Sequence, residues 1–143
     1  MARVLAVSSG GGHWQQLMLL SEAFEGEDVT YACAGTAKGP LVRSLPDCNA
    51  RTPKQVLLTL FSAVRLVCIL RPDVVISTGA APGVLAIIAG KSIGCRTVWI
   101  DSIANAERMS LSGRIARRFS DLWVTQWPNV AEQSGATYAG AVL

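Results

Sequence analysis

Short apolar runs alternate with helical segments from one end of this 143-residue chain to the other. Strands are predicted at 3–8, 29–33, 74–77, 96–100 and 122–125, with a last short strand at 138–140. Helices are predicted at 14–24, 54–70, 83–93 and 112–119, with a short piece near 41–45 after a loop at 35–40 and another from Pro128 onward. Such alternation predicts an α/β fold, a Rossmann-like parallel sheet with right-handed crossovers and helices on both faces. The chain length predicts that residues 1–143 form a single domain.

The segment 54–70 predicts a helix with an apolar face wider than packing on one sheet requires. Its polar members, which occupy a narrow sector, are Gln55, Thr59, Ser62 and Arg65. Two interpretations are open. In the first, the helix is sandwiched between the sheet and its neighbours. In the second, its outer side contacts lipid or a partner, which the flanking charges of Lys54, Arg65 and Arg71 favour.

Composition narrows the class of protein. Half of the residues are hydrophobic, 16% are charged and the mean hydropathy is +0.36. No apolar run reaches the roughly 18 residues of a membrane span, and the chain begins directly in its first predicted strand, which leaves no room for a signal peptide. We therefore expect a cytoplasmic protein with apolar surface left for a partner or a membrane. A net charge of +3 is too small to indicate nucleic-acid binding.

The cysteines and the single histidine predict neither a metal site nor a disulfide framework. None of the four cysteines forms a C-x-x-C pair, and no histidine cluster accompanies them. We expect Cys33, Cys48, Cys68 and Cys95 to be buried, reduced thiols.

A candidate site begins at the glycine turn Ser8-Ser9-Gly10-Gly11-Gly12-His13, which lies between a strand and a helix. Ligands of parallel sheets bind at the carboxyl ends of the strands, where the loops 8–13, 77–83 and 101–112 are expected to meet. His13, Gly79 and Asp101 should therefore surround one cleft. Imidazole can accept a proton near neutral pH beside an anion-binding helix start. The alternative is that the glycines only close a tight corner and that the histidine only begins the helix.

Common nucleotide-binding and hydrolase motifs are absent. A dinucleotide fingerprint would need a glycine where Gln15 stands and an acidic residue where Ala34 ends the second strand. The sequence Gly90-Lys91-Ser92 resembles part of a phosphate loop, but Leu85 replaces the required glycine and the segment ends a helix. No G-x-S-x-G elbow is present. No cofactor is expected.

Several motifs together resemble one family, the acceptor-binding subunits of two-subunit glycosyltransferases. They are Ser8–His13, Arg71-Pro72-Asp73, Ser77–Pro82, Asp101-Ser102 followed by Leu111-Ser112-Gly113, and Gln126-Trp127 followed by Tyr138-x-Gly140. One branch of this family makes dolichol-linked chitobiose and another makes bacterial exopolysaccharide and capsule. The same layout resembles the amino-terminal half of the lipid II-forming peptidoglycan glycosyltransferase.

The resemblance implies half of a GT-B enzyme. This domain would hold a lipid-linked acceptor sugar, while a separate donor-binding subunit would hold the nucleotide sugar. The partner surface is expected to include the cleft rim and the tail 138–143. Eukaryotic relatives carry an amino-terminal membrane anchor that this chain lacks, so its membrane contact would be peripheral, on the inner face of the plasma membrane.

Each candidate residue receives a predicted role. His13 or Asp101 would be the base that removes the acceptor hydroxyl proton, with the other as its orienting partner; the alternative for Asp101 is a capping aspartate. The expected substrate-binding residues are Gly10, Gly11, Gly12, Thr78, Gly79, Ser102 and Asn105. The residues expected to contact acceptor pyrophosphate or anionic lipid headgroups are Arg108, Arg114, Arg117 and Arg118, with a solvated helix face as the alternative.

Taken together, these observations predict a subunit of a bacterial membrane-associated glycosyltransferase that acts on an undecaprenyl-pyrophosphate-linked saccharide. It would be active only with its donor-binding partner. Two other classes are open: a non-catalytic membrane scaffold that recruits the partner, and a stand-alone enzyme on a small phosphorylated metabolite.

Overall fold

A computed structural model of the chain, which describes residues 1–35 and 42–142, contains one parallel sheet. Its strands are β1 (Arg3–Ser9), β2 (Asp28–Ala34), β3 (Val42–Leu45), β4 (Val74–Ser77), β5 (Arg96–Ile100), β6 (Leu122–Thr125) and β7 (Thr137–Tyr138). The strand order within the described ranges is β3-β2-β1-β4-β5-β6-β7, and every pairing is parallel. The predicted Rossmann-like parallel sheet is therefore confirmed.

Helices connect the strands in the predicted alternating order. They are α1 (Gly12–Leu19), α2 (Pro53–Leu70), α3 (Ala80–Ser92), α4 (Leu111–Ala116) and α5 (Pro128–Ser134), with short 3₁₀ turns at Ser21–Phe24 and Arg117–Phe119. The order of strands reverses between β1 and β4, so right-handed crossovers place α1 on the opposite face from α2 and α3. The main core lies under α2 and α3, where Trp99, Val75 and Ile87 are completely buried.

Three local predictions were wrong. Residues 42–45 form the edge strand β3, because their backbone pairs with Tyr31–Ala34 of β2 instead of coiling into a helix. The helix predicted at 14–24 ends at Leu19 and continues as a 3₁₀ turn. Helix α3 begins at Ala80, because the predicted small-residue turn is only two residues long. The loop predicted at 35–40 lies outside the described residues apart from Gly35.

Helix α2 buries only a narrow stripe. Thr59, Ala63 and Val67 are spaced four residues apart and are 0–1% exposed, and the Thr59 hydroxyl donates a hydrogen bond to the Pro46 carbonyl at 2.8 Å. The opposite side carries Phe61, which is 69% exposed, and Leu57, Leu58 and Ile69, which are each more than half exposed. The interpretation of a sandwiched helix is therefore wrong, because nothing in the described residues covers this side. By length and composition alone α2 could also cross a membrane.

The outward side of α2 also corrects the prediction for the cysteines. Cys68 is exposed, whereas Cys33, Cys48 and Cys95 are buried, and none of the four forms a disulfide within the described residues. Burial raises the pKa of Cys48 and of Cys95 above the ordinary thiol value. These two side chains therefore stay protonated in the folded chain at neutral pH.

Helix α2 ends at a strained residue. Arg71 follows the helix with a φ of 45°, in the left-handed region, and its N–H donates to the Val67 carbonyl at 2.8 Å. Glycine is the usual residue at such a helix end because it has no Cβ. The left-handed backbone costs a side-chain-bearing residue roughly 1–2 kcal/mol.

An ion pair between Lys91 of α3 and Asp121, the residue before β6, makes a pH-dependent contribution to the free energy of unfolding. The Lys91 ammonium donates to Asp121 at 2.5 Å, and this bond, followed by the Thr97 N–H, lowers the pKa of Asp121. A carboxyl group with a lowered folded pKa stabilises the fold above its unfolded pKa of about 3.9, and this stability is lost as pH falls through the folded pKa.

We therefore expect Asp121→Asn to lower the free energy of unfolding at pH 7 by no more than about 1 kcal/mol, because the pair is half exposed. Below pH of about 4 the difference from the unmodified chain should shrink. Urea unfolding at several pH values measures this. A difference that stays constant down to acidic pH would contradict the assignment.

Candidate functional site

The carboxyl ends of β1, β4 and β5 meet at a cleft of about 300 Å³. These strands are neighbours in the sheet, so the loops that follow them share one edge. The cleft is lined by His13, Gly79, Ala80, Asp101, Ser102, Ala104, Asn105, Ser110, Leu111 and Ser112. The predicted convergence of His13, Gly79 and Asp101 is therefore observed.

His13 is held by the loop after β4. Its Nδ1 lies 3.3 Å from the Thr78 carbonyl, and the Thr78 hydroxyl donates to the His13 carbonyl at 2.8 Å. A carbonyl oxygen only accepts, so this contact requires the proton on Nδ1. In the neutral ring, Nε2 is then free to accept a proton. This is the form that a general base needs.

The backbone after Thr78 is shaped around the histidine. A Cβ on Gly79 would lie 2.3 Å from His13 Nδ1, so only glycine leaves space for the ring. Gly79 has a φ of 147°, and the next residue, Ala80, has a φ of 65°. Left-handed backbone in a residue with a side chain is strained and is common at functional sites. Both residues line the cleft.

Asp101 is buried beside the cleft, and donors engage both of its oxygens. It is 1% exposed. Its Oδ1 accepts from Trp99 Nε1 at 3.1 Å and from the Ser110 hydroxyl at 2.6 Å, while Oδ2 accepts from the Ser110 N–H at 3.0 Å. Ser110 in turn caps α4 by accepting from the Gly113 N–H at 2.9 Å. This geometry favours the capping alternative for Asp101, whose carboxylate fixes the loop that forms one wall of the cleft.

A buried amide network below the cleft was missed by the sequence analysis. Gln16 donates to the Ser102 hydroxyl at 3.0 Å, and Gln126 donates both to Gln16 Oε1 at 2.8 Å and to the Asp101 carbonyl at 2.9 Å. Gln16 Oε1 also accepts from the Ile103 N–H at 3.2 Å. One signal was present in the sequence: Gln126 directly follows β6 and so stands at the same sheet edge as the other loops.

The predicted substrate-binding residues fall into two groups. Gly79, Ser102 and Asn105 line the cleft, and Thr78 is buried while holding His13. Gly10, Gly11 and Gly12 do not line it. Gly10 donates its N–H to the Ala34 carbonyl at 2.8 Å, and no atom lies within 4 Å of a Cβ built on Gly11 or Gly12. This turn is open to an incoming ligand, and its role stays a prediction.

Three of the four predicted arginines surround a second cavity, of about 390 Å³. It is lined by Arg108, Met109, Arg114, Arg117, Trp123, Gln133 and Ser134. The Arg117 guanidinium lies 5.4 Å from the centre of the Trp123 ring. Arg118 is exposed and does not line this cavity. Within residues 1–35 and 42–142, none of these arginines forms an ion pair.

A search of the described residues finds no group of three or more His, Cys, Asp or Glu that could hold a metal ion. The cleft offers hydrogen-bonding groups and a histidine for chemistry, and the loop that holds the histidine includes the strained residue Ala80.

Comparison with known proteins assigns the chain to a family. The sequence model of the family described as "Oligosaccharide biosynthesis protein Alg14 like" matches residues 26–142. The chain belongs to this family. The predicted resemblance is therefore confirmed at the level of the Alg14-like family.

Curated relatives of the Alg14-like chain are eukaryotic. It is 33% identical over 101 residues to the UDP-N-acetylglucosamine transferase subunit ALG14 of Yarrowia lipolytica, covering 64% of this chain and 47% of that protein. It is 31% identical over 85 residues to the protein of the same name from Mus musculus, covering 54% of this chain and 39% of the relative. The matched part thus spans less than half of each relative.

Solved structures of low sequence identity share the fold. MurG from Acinetobacter baumannii matches with a TM-score of 0.77 at 15% identity, covering 91% of this chain and 43% of MurG. The UDP-N-acetylglucosamine 2-epimerase from Rickettsia bellii matches with a TM-score of 0.74 at 15% identity, covering 96% of this chain and 43% of that enzyme. These matches confirm the predicted fold, that of the amino-terminal half of a GT-B glycosyltransferase.

Proposed function

We propose that this Alg14-like chain is the acceptor-binding subunit of a heteromeric, membrane-associated glycosyltransferase. The observation that carries the proposal is the cleft at the sheet edge, where His13 is seated by Thr78 and Gly79 opposite the loop anchored by Asp101. We propose a donor-binding partner, because this chain shares the fold of one half of a GT-B enzyme, whose active site lies between two halves. The names of the curated relatives support a UDP-sugar, with N-acetylglucosamine as the first donor to test.

The proposed acceptor is an undecaprenyl-pyrophosphate-linked saccharide in bacterial exopolysaccharide or capsule synthesis. The motifs resemble a family in which one branch makes bacterial exopolysaccharide and capsule, and the proposed acceptor is the one that this branch uses. In the transfer, the acceptor hydroxyl oxygen bonds to the anomeric carbon while the bond from that carbon to the phosphate oxygen breaks. The departing nucleoside diphosphate takes the electron pair, and His13 Nε2 takes the hydroxyl proton. Asp101 acts as a positioning residue that holds the wall of the cleft.

The second cavity supports a role in pyrophosphate binding. Arg108, Arg114 and Arg117 stand on or beside α4, whose first residues also line the cleft. One guanidinium group can donate two parallel N–H hydrogen bonds to two oxygens of a phosphate. Because Ser110, Leu111 and Ser112 line the cleft and lie between Arg108 and Arg114 in the chain, we propose that the pyrophosphate of a sugar bound in the cleft extends toward these arginines. Gly10–Gly12 remain the proposed backbone donors at the start of α1.

The exposed side of α2 supports peripheral contact with the inner face of the plasma membrane. Leu57, Leu58, Phe61 and Ile69 form an apolar surface on the helix, with Lys54 and Arg65 among them. An amphipathic helix of this kind lies in the membrane interface with its apolar side buried and its cations near lipid phosphates. The buried stripe of Thr59, Ala63 and Val67 keeps the helix on the protein core.

The proposal is tested by co-expressing the chain with the reading frame that encodes its donor-binding partner. We expect a stable complex that transfers labelled sugar from a UDP-sugar to a polyprenyl-pyrophosphate acceptor, and almost no transfer by the isolated chain. Turnover by the isolated chain on a small phosphorylated metabolite would identify the stand-alone enzyme instead. A complex that retains full activity when both His13 and Asp101 are replaced would identify the chain as a scaffold.

A further inference from the structure

A basic cavity lies at the opposite edge of the sheet from the cleft. It has a volume of about 700 Å³ and is formed where β1 and β5 begin and α2 ends. Arg3, Arg71 and Arg96 line it, together with Asp73. They come together because β4 lies between β1 and β5 in the sheet and is entered directly from α2. None of the residues assigned to the transfer reaction lies here.

The cavity carries a net positive charge, because three arginines and one aspartate line it. Asp73 accepts the Arg3 N–H at 2.8 Å and lies 3.9 Å from Arg3 Nε. Arg71 and Arg96 form no ion pair with any described residue, and both are exposed. Two unpaired guanidinium groups at one cavity favour an anionic ligand, and their planar forks match the oxygens of a phosphate.

The backbone at Arg71 supports a binding role. Its φ of 45° is one that glycine adopts without strain, yet the chain has arginine there. The following Pro72 and Asp73 also line the cavity. The motif Arg71-Pro72-Asp73 lies at the far edge from the cleft, so acceptor binding in the cleft does not explain it.

An apolar surface borders the cavity. Cys68 lines the cavity and also belongs to the exposed side of α2, next to Ile69, which is 66% exposed. Ile93, 45% exposed, lines the cavity from the loop after α3. A ligand that fits both features has an anionic head beside a hydrocarbon chain, which describes an anionic phospholipid.

We propose that the cavity lined by Arg3, Arg71 and Arg96 binds the phosphate headgroup of an anionic phospholipid. This inference rests on the proposed membrane contact of α2. Helix α2 runs from the end of β3 to the start of β4, so the headgroup cavity lies at its carboxyl end and the sheet edge that bears the cleft at its amino end. A headgroup bound at the carboxyl end of α2 would add a second contact with the membrane, and the two contacts together would set the orientation of the domain on the membrane surface.

The test compares two pairs of arginines. In the cavity variant, Arg71→Gly and Arg96→Gln remove both unpaired charges, and glycine at 71 keeps the left-handed backbone. In the control variant, Arg43→Gln and Arg51→Gln remove two exposed charges, one beside Phe61 and one just before α2, outside the cavity. Binding of the full chain is measured by co-sedimentation with phosphatidylcholine vesicles and with mixed phosphatidylcholine–phosphatidylglycerol vesicles.

We expect the cavity variant to bind the mixed vesicles roughly 30-fold more weakly than the unmodified chain, since each arginine near an anionic surface contributes about a fivefold factor. The control variant should lose no more than about fivefold, because only Arg43 lies beside the membrane-facing Phe61, whereas Arg51 precedes α2. Equal losses in the two variants would show diffuse attraction and would overturn the proposal.

Thermal unfolding should show the cavity variant to be at least as stable as the unmodified chain, because glycine at position 71 relieves the backbone strain there. A destabilised variant would assign Arg71 a structural role instead.

A second measurement locates the ligand. Soluble short-chain phosphatidylglycerol should shift the backbone amide resonances of Gly94 and Arg96, and inorganic phosphate should not do so to the same extent. Equal shifts with inorganic phosphate would identify a free-phosphate site and overturn the lipid assignment. Replacing Leu58 and Phe61 by Gln should abolish binding to both kinds of vesicle. If the unmodified chain binds neither kind, the membrane contact itself fails, whereas a failure confined to the cavity variant removes only the headgroup site.

Discussion

Asp101→Ala is expected to lower the free energy of unfolding by about 4 kcal/mol. The buried carboxylate accepts from Trp99 Nε1 and from both the N–H and the hydroxyl of Ser110, so its removal leaves donors without partners. Each unsatisfied buried donor costs about 1–3 kcal/mol. The loss should also release the cap of α4, because Ser110 holds the Gly113 N–H. Urea unfolding of the isolated chain measures the effect.

A second variant at Asp101 distinguishes a positioning residue from a general base. With Asp101→Asn the side chain keeps its shape and one oxygen, so we expect a smaller loss of about 1–3 kcal/mol and a fall in transfer that follows the loss of folded structure. A base would behave differently: transfer by the assembled enzyme would fall at least a hundredfold in a variant that remains folded. Asp28→Ala is the matched control. Asp28 is exposed, and its replacement should change stability by less than about 0.5 kcal/mol.

His13→Ala is expected to reduce transfer by the assembled enzyme by about 10²–10⁴-fold, the usual contribution of a general base. Complex formation and the free energy of unfolding should change little, since the ring is half buried and its one hydrogen bond in the described structure is the long contact to Thr78. Initial rates with saturating acceptor and UDP-sugar measure the loss. An unchanged rate would remove His13 from the chemistry.

A substitution at Gly79, which contacts His13, tests whether the position of the imidazole ring matters for transfer. Gly79→Ala places a Cβ 2.3 Å from His13 Nδ1 and must displace the ring. We expect transfer to fall about a hundredfold or more, although no reacting group has been removed. Gly26→Ala is the control, because Gly26 has a similarly positive φ of 86° but open space around it. Both variants strain the backbone, and only the first should affect transfer.

The sequence predicted the features that depend on local pattern and on the geometry of parallel sheets. The apolar runs located five of the strands, and the rule that parallel strands end at one edge brought His13, Gly79 and Asp101 together before any contact was known. The edge strand β3 was missed because four residues with two exposed side chains carry little periodicity. Its strand conformation depends on pairing with β2, which is a tertiary contact.

Other features of the site depend on partners far apart in the chain. Gln16 and Gln126 are separated by 110 positions and meet only because α1 and the end of β6 lie beside the same loop. The role of Asp101 depends on Ser110, nine residues later, whose hydroxyl and N–H reach back to the carboxylate. The exposure of the outer side of α2 also depends on tertiary contacts, because the sequence shows that this side is apolar but not whether other elements cover it.

The link between the tail and the cleft bears on how the protein should be handled. The Val142 N–H donates to Gln126 Oε1 at 2.8 Å, and the amide nitrogen of Gln126 holds Gln16 and the Asp101 carbonyl. A truncation that removes Val142 therefore removes a hydrogen bond two side chains away from the cleft. Kinetic assays are best made on material in which residues 138–142 are left unaltered.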